Sequence, residues 1–265
     1  MTAPFVVATG ARTIAENIFL RVTLSNGAQG YGEAAPFPEV GGETRESCLI
    51  ARPRLGKAIL GHSAASYTNI GHVLSEQAPN DPAARCGLET AVIDAYCRAS
   101  NILMWQLWGS ADVRARETDI TIPITDLDSM AAIRRETGIP VAADESVRSL
   151  ADAQEVVARG AANYVNIKIM KTGVIEAVAI ASFTKASDLK LMIGGMLETR
   201  ITMGCSFSLV LGLGGFDVLD LYTPLLLTSD PVTGGYRYEG SRLQPWSGPG
   251  LDMNAVPSLN ITTIE

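Results

Sequence analysis

From Glu117 onward one rhythm governs the chain. Short apolar runs at Ile120–Ile124, Val141–Ala143, Tyr164–Ile169 and Lys190–Ile193 alternate with amphipathic stretches at Ser129–Glu136, Leu150–Arg159 and Val174–Ala186. Strand runs separated by helical runs cannot pair as hairpins, so the pattern predicts a parallel sheet or barrel with helices outside it. In such folds the chemistry gathers at the carboxyl ends of the strands. Three strand ends carry polar groups: Asp144 and Glu145, Lys168, and the run Gly194-Gly195-Met196-Leu197-Glu198.

The chain before this point has another character. Ile18–Leu24 and Ala28–Glu33 flank the turn signal Ser25-Asn26-Gly27 and predict a hairpin. A Pro/Gly-rich loop, Ala34–Thr44, leads to helical stretches at Thr44–Gly56 and Ser66–Gln77. A clearer helix spans Pro82–Ser100, where Leu88, Ala91, Val92, Ala95 and Tyr96 share a face, with Asp81 as N-cap and Pro82 in the first turn. Three parts follow: an α+β region over 1–116, a βα region over 117–229, and a turn-rich tail over 230–265 that folds back as short strands.

Composition narrows the function. At 47% hydrophobic and 18% charged the chain can bury a large core. A net charge of -7 argues against nucleic acid as a partner. No run reaches the roughly 18 apolar residues of a membrane helix, so no membrane partner is expected. With no signal-peptide pattern at the start, the expected location is the cytoplasm. Cys48, Cys86, Cys97 and Cys205 lack metal-binding spacing and read as reduced thiols. His62 and His72 likewise lack ligand spacing.

Each polar strand end has two readings. On a strand, Asn166 and Lys168 share a face. Lys168 is then either a desolvated lysine of lowered pKa, suited to general-base work, or a strand end reaching solvent. Asp144 can ligate a hard divalent cation such as Mg²⁺, or Asp144 or Ser146 can cap the following helix. The two glycines let a ligand approach the backbone with Glu198 orienting a neighbouring base, or they make a strand-to-helix turn. Asp220 and Tyr222, two apart, either bind a polar substrate group from one strand face or line a solvated face.

Taken together, PFVVATGARTIAEN, YGEAAPFP, GLETAVIDAY, ETDITIPI, IPVAADES, VNIKIMKTGVIEA, LMIGGMLETRITMG, DLYTPLLL and DPVTGGY resemble the enolase superfamily. Within it, the resemblance is to the muconate-lactonizing-enzyme subgroup and most closely to its dipeptide (L-Ala-D/L-Glu) epimerases. The resemblance implies an α/β fold, an enolase-type (β/α)₇β barrel with an α+β capping domain. It implies Mg²⁺ as cofactor, a small dipeptide as substrate, and epimerisation by proton abstraction α to a carboxylate through an enediolate. By the same resemblance Lys168 is the acid/base lysine and Asp144 the third metal ligand, supported by Glu145 and Asn166. Thr121 and Glu198 line the site, Arg12 reaches the distal carboxylate, and Asp220 receives the α-ammonium. Tyr222 stands where the family has a second aspartate, which puts Ala-Glu specificity in question.

The resemblance also exposes a gap. Between ETDITI and IPVAADES the family places three βα units, with a KxK lysine pair and the first two metal carboxylates. Here only Pro123–Thr137 intervenes, no two lysines form that pair, and neither DAN nor EQP occurs. The barrel is therefore expected to be incomplete, and the family's first strand would precede Met1. A partial barrel with open strand edges is expected to form homo-oligomers, rearrange or aggregate. Three readings follow: a dipeptide epimerase impaired in this form, a cycloisomerase or o-succinylbenzoate-synthase-like lyase of the same subgroup, or a non-catalytic isoform or scaffold.

Overall fold

The computed structural model describes residues 5–7, 10–109, 113–114, 116–117 and 127–256. Strands β1 (Phe5–Val7) and β2 (Gly10–Arg12) form a small ribbon. The expected hairpin follows as β3 (Ile18–Thr23) and β4 (Gln29–Ala34), antiparallel in register from Ile18↔Ala34 to Thr23↔Gln29. Its turn is closed by Leu24 N–H donating to the Ala28 carbonyl, with Gly27 at φ +85° where a side chain would be strained.

After a short helix α1 (Pro38–Gly41), α2 (Arg45–Ile59) and α3 (Tyr67–Gln77) pack around α4 (Pro82–Ser100). Thr44 caps α2 through a reciprocal pair with Ser47. Helix α4 lies directly on β4 because Gly30 and Gly32, two apart on one strand face, carry no side chain. A Cβ at Gly32 would overlap the Gly87 carbonyl, and one at Gly30 would overlap the backbone of Ala91 and Ala95. The first turn of α4 differs from the expectation. Asp81 stands at the N-cap but makes no capping bond, and Glu43 from the loop before α2 accepts the Ala83 N–H instead.

Strand β5 (Arg116–Glu117) leads into the second part, where α5 (Leu127–Thr137) precedes a four-stranded parallel sheet. Its order is β6 (Ala142–Ala143), β7 (Tyr164–Ile167), β8 (Lys190–Gly194), β9 (Phe216–Asp220). The connecting helices are α6 (Leu150–Ala158), α7 (Ile169–Thr172) with α8 (Val174–Ala186), and α9 (Arg200–Leu213). The barrel is incomplete among the described residues. The expected strand Ile120–Ile124 lies outside them. Helix α9 has no apolar stripe to read because nearly every side chain on it is buried.

The tail forms β10 (Val232–Gly234), β11 (Arg237–Glu239), β12 (Arg242–Gln244) and β13 (Met253–Ala255). Strand β12 pairs with β5, and Asp94 on α4 accepts the Leu251 N–H. One buried apolar cluster runs from Ala34 to Met253 and unites both parts. No described helix is long and apolar enough to cross a membrane.

Two carboxylates fasten the first part to the sheet. Glu33 at the end of β4 accepts from the Thr199 backbone N–H and hydroxyl, at 3.0 and 2.6 Å, where α9 begins. Glu89 on α4 accepts from the Val174 and Ile175 N–H groups, at 2.5 and 3.2 Å, where α8 begins. Helix N-termini present unpaired N–H groups and positive potential, so each carboxylate both fills and neutralises one.

Candidate active site at the strand ends

The carboxyl ends of β6 to β9 form one rim, and the chain's polar strand ends meet there. Asp144 leaves β6 pointing inward and buried. Its Oδ2 lies 3.0 Å from Lys168 Nζ and accepts the Asn166 amide at 2.8 Å, while its Oδ1 lies 2.8 Å from Lys171 Nζ. Lys171 also donates to the Asp144 carbonyl at 2.5 Å and the Asn166 carbonyl at 3.4 Å. The shared face of Asn166 and Lys168 is thus present, and Asp144 is what it faces. Asp144 does not cap a helix. Ser149 does, accepting the Asp152 N–H at the start of α6, and Ser146 only approaches Met130 sulfur.

Lys168 differs from the expectation twice. The strand stops at Ile167, so Lys168 is the first residue beyond it and stands at the N-cap position of α7 without a capping bond. Its pKa is raised, not lowered. Burial pulls it down, but the charges of Asp144 and Glu145 outweigh that pull, so Lys168 holds its proton. Burial with the neighbouring Lys168 charge lowers Lys171. Burial raises Asp144, but the two lysines outweigh it and leave the carboxyl below its ordinary value.

Several atoms around this cluster have no hydrogen-bond partner among the described residues. Glu145 is buried with both carboxylate oxygens unbonded, and burial raises its pKa, with the Asp144 charge adding to it. Asn166 Oδ1 is unbonded as well. Glu198 is fully buried; its Oε1 accepts the Met196 N–H at 2.8 Å, and burial pushes its pKa up to about 8. Glu198 feels the Lys168 charge without hydrogen bonding to it, so it does not orient that amine directly.

Asp220 ends β9 beside Gly194 of β8. A Cβ on Gly194 would come within 3.3 Å of both Asn166 and Asp220. Tyr222 is not on the strand with Asp220: it caps a 3₁₀ turn, Thr223–Leu226, so the two are not a co-facial strand pair. Arg12 ends β2, with only its backbone described, and Thr121 lies outside the described residues.

Two cavities separate the first part from the rim. One of about 310 Å³ is walled by Phe37, Glu43, Arg85, Arg148, Met170 and Lys171, among others. Arg85 is buried there and its Nε–H has no partner. The other, about 160 Å³, lies beside the loop after β2, where Asn17 bridges Glu33 and the Leu197 carbonyl. The sequence reading had not marked Lys171, Arg85 or Arg148 for the site.

Magnesium demands near-octahedral oxygen ligands at about 2.0–2.1 Å. Asp144 is instead enclosed by two ammonium groups and an amide. Among the described residues no three His, Cys, Asp or Glu side chains stand close enough to share a metal ion. The described residues do not make a magnesium site.

Comparison with known proteins accounts for the arrangement. Residues 1–109 match the model of the mandelate racemase / muconate lactonizing enzyme N-terminal domain, and residues 120–255 match the enolase C-terminal domain-like model. An aromatic dipeptide epimerase of Herpetosiphon aurantiacus is 30% identical over 329 aligned residues, covering 92% of each chain. An L-Ala-D/L-amino acid epimerase of Populus trichocarpa is 29% identical, covering 91% of this chain and 78% of its own. The first alignment is longer than the 265 residues of this chain, so the relative carries internal residues that this chain lacks.

The crystal structure of a mandelate racemase/muconate lactonizing protein from Herpetosiphon aurantiacus superposes with a TM-score of 0.91 at 29% identity, covering 96% of this chain and 95% of its own. A dipeptide epimerase from Methylococcus capsulatus, solved with Mg and the dipeptide L-Arg-D-Lys, shares the fold at 24% identity and a TM-score of 0.83, with 95% of each chain covered. Magnesium is therefore the cofactor the family leads one to expect.

Proposed function

We propose, from the premise that this chain belongs to the mandelate racemase / muconate lactonizing enzyme family of the enolase superfamily, that it is a dipeptide epimerase impaired in this form. The relative at 30% identity over 92% of both chains carries the assignment to dipeptide epimerases. The division into a capping part, 1–116, a partial barrel, 117–229, and a returning tail, 230–265, belongs to the same reading.

Lys168 is the acid/base group, and Asp144 is a metal ligand by descent whose place is supported by Glu145 and Asn166. The 310 Å³ cavity reaches the rim through Lys171 and not through Lys168 itself; it is the dipeptide's way in, with Arg148 and Arg85 offering positive charge to a carboxylate and Phe37 and Met170 meeting apolar side chains. Asp220, with Tyr222 beside it, faces the α-ammonium; Thr121 and Glu198 line the site, and Arg12 serves the distal carboxylate.

Impairment follows from the cluster itself. A general base must give up its proton first, and Asp144 and Glu145 hold Lys168 protonated. Inversion further requires a second proton carrier on the opposite face of the α-carbon. None of the remaining lysines, Lys57, Lys171, Lys185 or Lys190, forms the family's pair.

The test is α-proton exchange in D₂O, followed by NMR, on L-Ala-L-Glu and an aromatic dipeptide with Mg²⁺ present. Expected is exchange at least about 10³-fold below a typical turnover of ~10 s⁻¹, with the residue abolished in Lys168→Met. Inversion at an ordinary enzymatic rate would overturn the impairment. Exchange that survives Lys168→Met would overturn the assigned base.

A further inference from the structure

We infer that Lys171 is the resident cation of this rim, a covalently supplied ammonium held in an oxygen cage. The cage has three walls: Asp144 Oδ1 at 2.8 Å, the Asp144 carbonyl at 2.5 Å and the Asn166 carbonyl at 3.4 Å. All three atoms are acceptors only. The Asp144 carbonyl also accepts the Val147 N–H at 2.9 Å, but bonding Nζ to all three at once takes three N–H donors, which an ammonium has and a neutral amine lacks. Two of the acceptors are main-chain carbonyls fixed by the ends of β6 and β7, so only the Asp144 Oδ1 wall depends on a rotamer.

Short of metal carboxylates, the rim meets its need for positive charge from within. Asp144 is a buried carboxylate, and a buried charge without a counter-charge is strongly destabilising. Lys168 supplies one ammonium to Oδ2 and Lys171 supplies the other to Oδ1. The folded chain therefore needs no external cation. Lys171 also lines the 310 Å³ cavity, which gives a small molecule a route to the cage once the side chain is shortened.

The inference stands whether or not Lys168 turns a dipeptide over, and its test does not use turnover. Lys171→Ala removes the three terminal methylenes and the nitrogen, which together have the shape of n-propylammonium. Thermal unfolding of the full chain is followed with Mg²⁺, with n-propylammonium, and with tetramethylammonium as a cation that has no N–H. Expected are a Tm of the parent protein unmoved by Mg²⁺ or EDTA, and a loss on the order of 10 °C in Lys171→Ala. Tens of millimolar n-propylammonium should recover at least half of that loss, and tetramethylammonium none.

A Tm of the parent raised several degrees by Mg²⁺ would overturn the inference, as would equal recovery by both amines. Should Lys171→Ala not fold, the parent is read directly: the side-chain ¹⁵N resonance of a solvent-protected lysine ammonium should be present and should vanish in Lys171→Met. Its absence from the parent spectrum overturns the inference equally.

Discussion

Two sets of buried carboxylates lie a short distance apart and are held in opposite ways. Along the seam between the first part and the sheet, Glu33 and Glu89 each accept backbone N–H groups at the start of a helix, as Glu43 does for α4 within the first part. At the rim, Asp144 is held by the side chains of Lys168, Lys171 and Asn166, and the Glu145 carboxylate accepts no hydrogen bond among the described residues. Backbone donors are fixed by the helix they begin and cannot turn away. Side-chain donors sit on rotatable bonds and can be exchanged for a ligand. The seam is thus built to stay closed, and the rim is built to be rearranged.

The sharpest way to break the seam is Gly32→Ala. Its Cβ would overlap the Gly87 carbonyl, backbone against backbone, so α4 must leave β4. A loss beyond about 4 kcal/mol is expected in urea unfolding, to the point that no folded protein is recovered; an unchanged midpoint would contradict the packing described. Glu33→Ala strips the acceptor from Asn17 and Thr199 and opens a cavity, costing about 3 kcal/mol. Asp144→Asn keeps volume and one acceptor but leaves two buried ammonium groups facing a neutral amide, and should likewise cost about 3 kcal/mol or more, while removing what residual exchange exists. An Asp144→Asn variant as stable as the parent would show that the rim does not rest on the ion pairs described.

Acidity tests the seam from another side. Burial raises Glu33, Glu43 and Glu89 to about 7 and Glu198 to about 8, against an ordinary value of 4.5. A carboxyl whose folded pKa is raised adds stability that is complete below about 4.5 and is lost as pH climbs through 7 to 8. Calorimetry should accordingly show Tm falling between pH 5.5 and 8.5, with a shallower fall in Glu33→Gln. A Tm that rises over this interval would show the seam glutamates to be favoured in their charged form. The smallest effect concerns the rim's flank: Ser149→Ala should cost about 1 kcal/mol as a lost cap, and Ser146→Ala almost nothing.

Much of this architecture was legible in the residues, for reasons that also mark the limit. The alternation after Glu117 placed β6, β7 and β8 and brought Asp144 and Lys168 to one rim, because strand and helix periods differ. Lys171 escaped because a strand reading of YVNIKIMK puts it opposite Lys168. The chain turns helical after Lys168, and a three-residue step on a helix returns Lys171 to the same side. Tyr222 was misplaced because β9 ends at Asp220, where nothing in LDLYTPLLL signals a stop before Pro224. The seam glutamates gave no local signal at all. Their partners lie far along the chain, as with Glu33 and Thr199, so only the folded molecule shows why an acid sits among buried residues.

The returning tail has a consequence for synthesis. Strand β5 finds its partner only in Arg242 and Leu243, Asp94 waits for the Leu251 N–H, and buried Trp105 stacks edge-on against Trp246 at 4.8 Å. A ribosome adding about 5–20 residues each second releases the hairpin and α4 on the order of ten seconds before those partners exist. Until the last strands emerge, the face of Trp105 that meets Trp246 stands uncovered. That face is the one a nascent-chain chaperone would meet first.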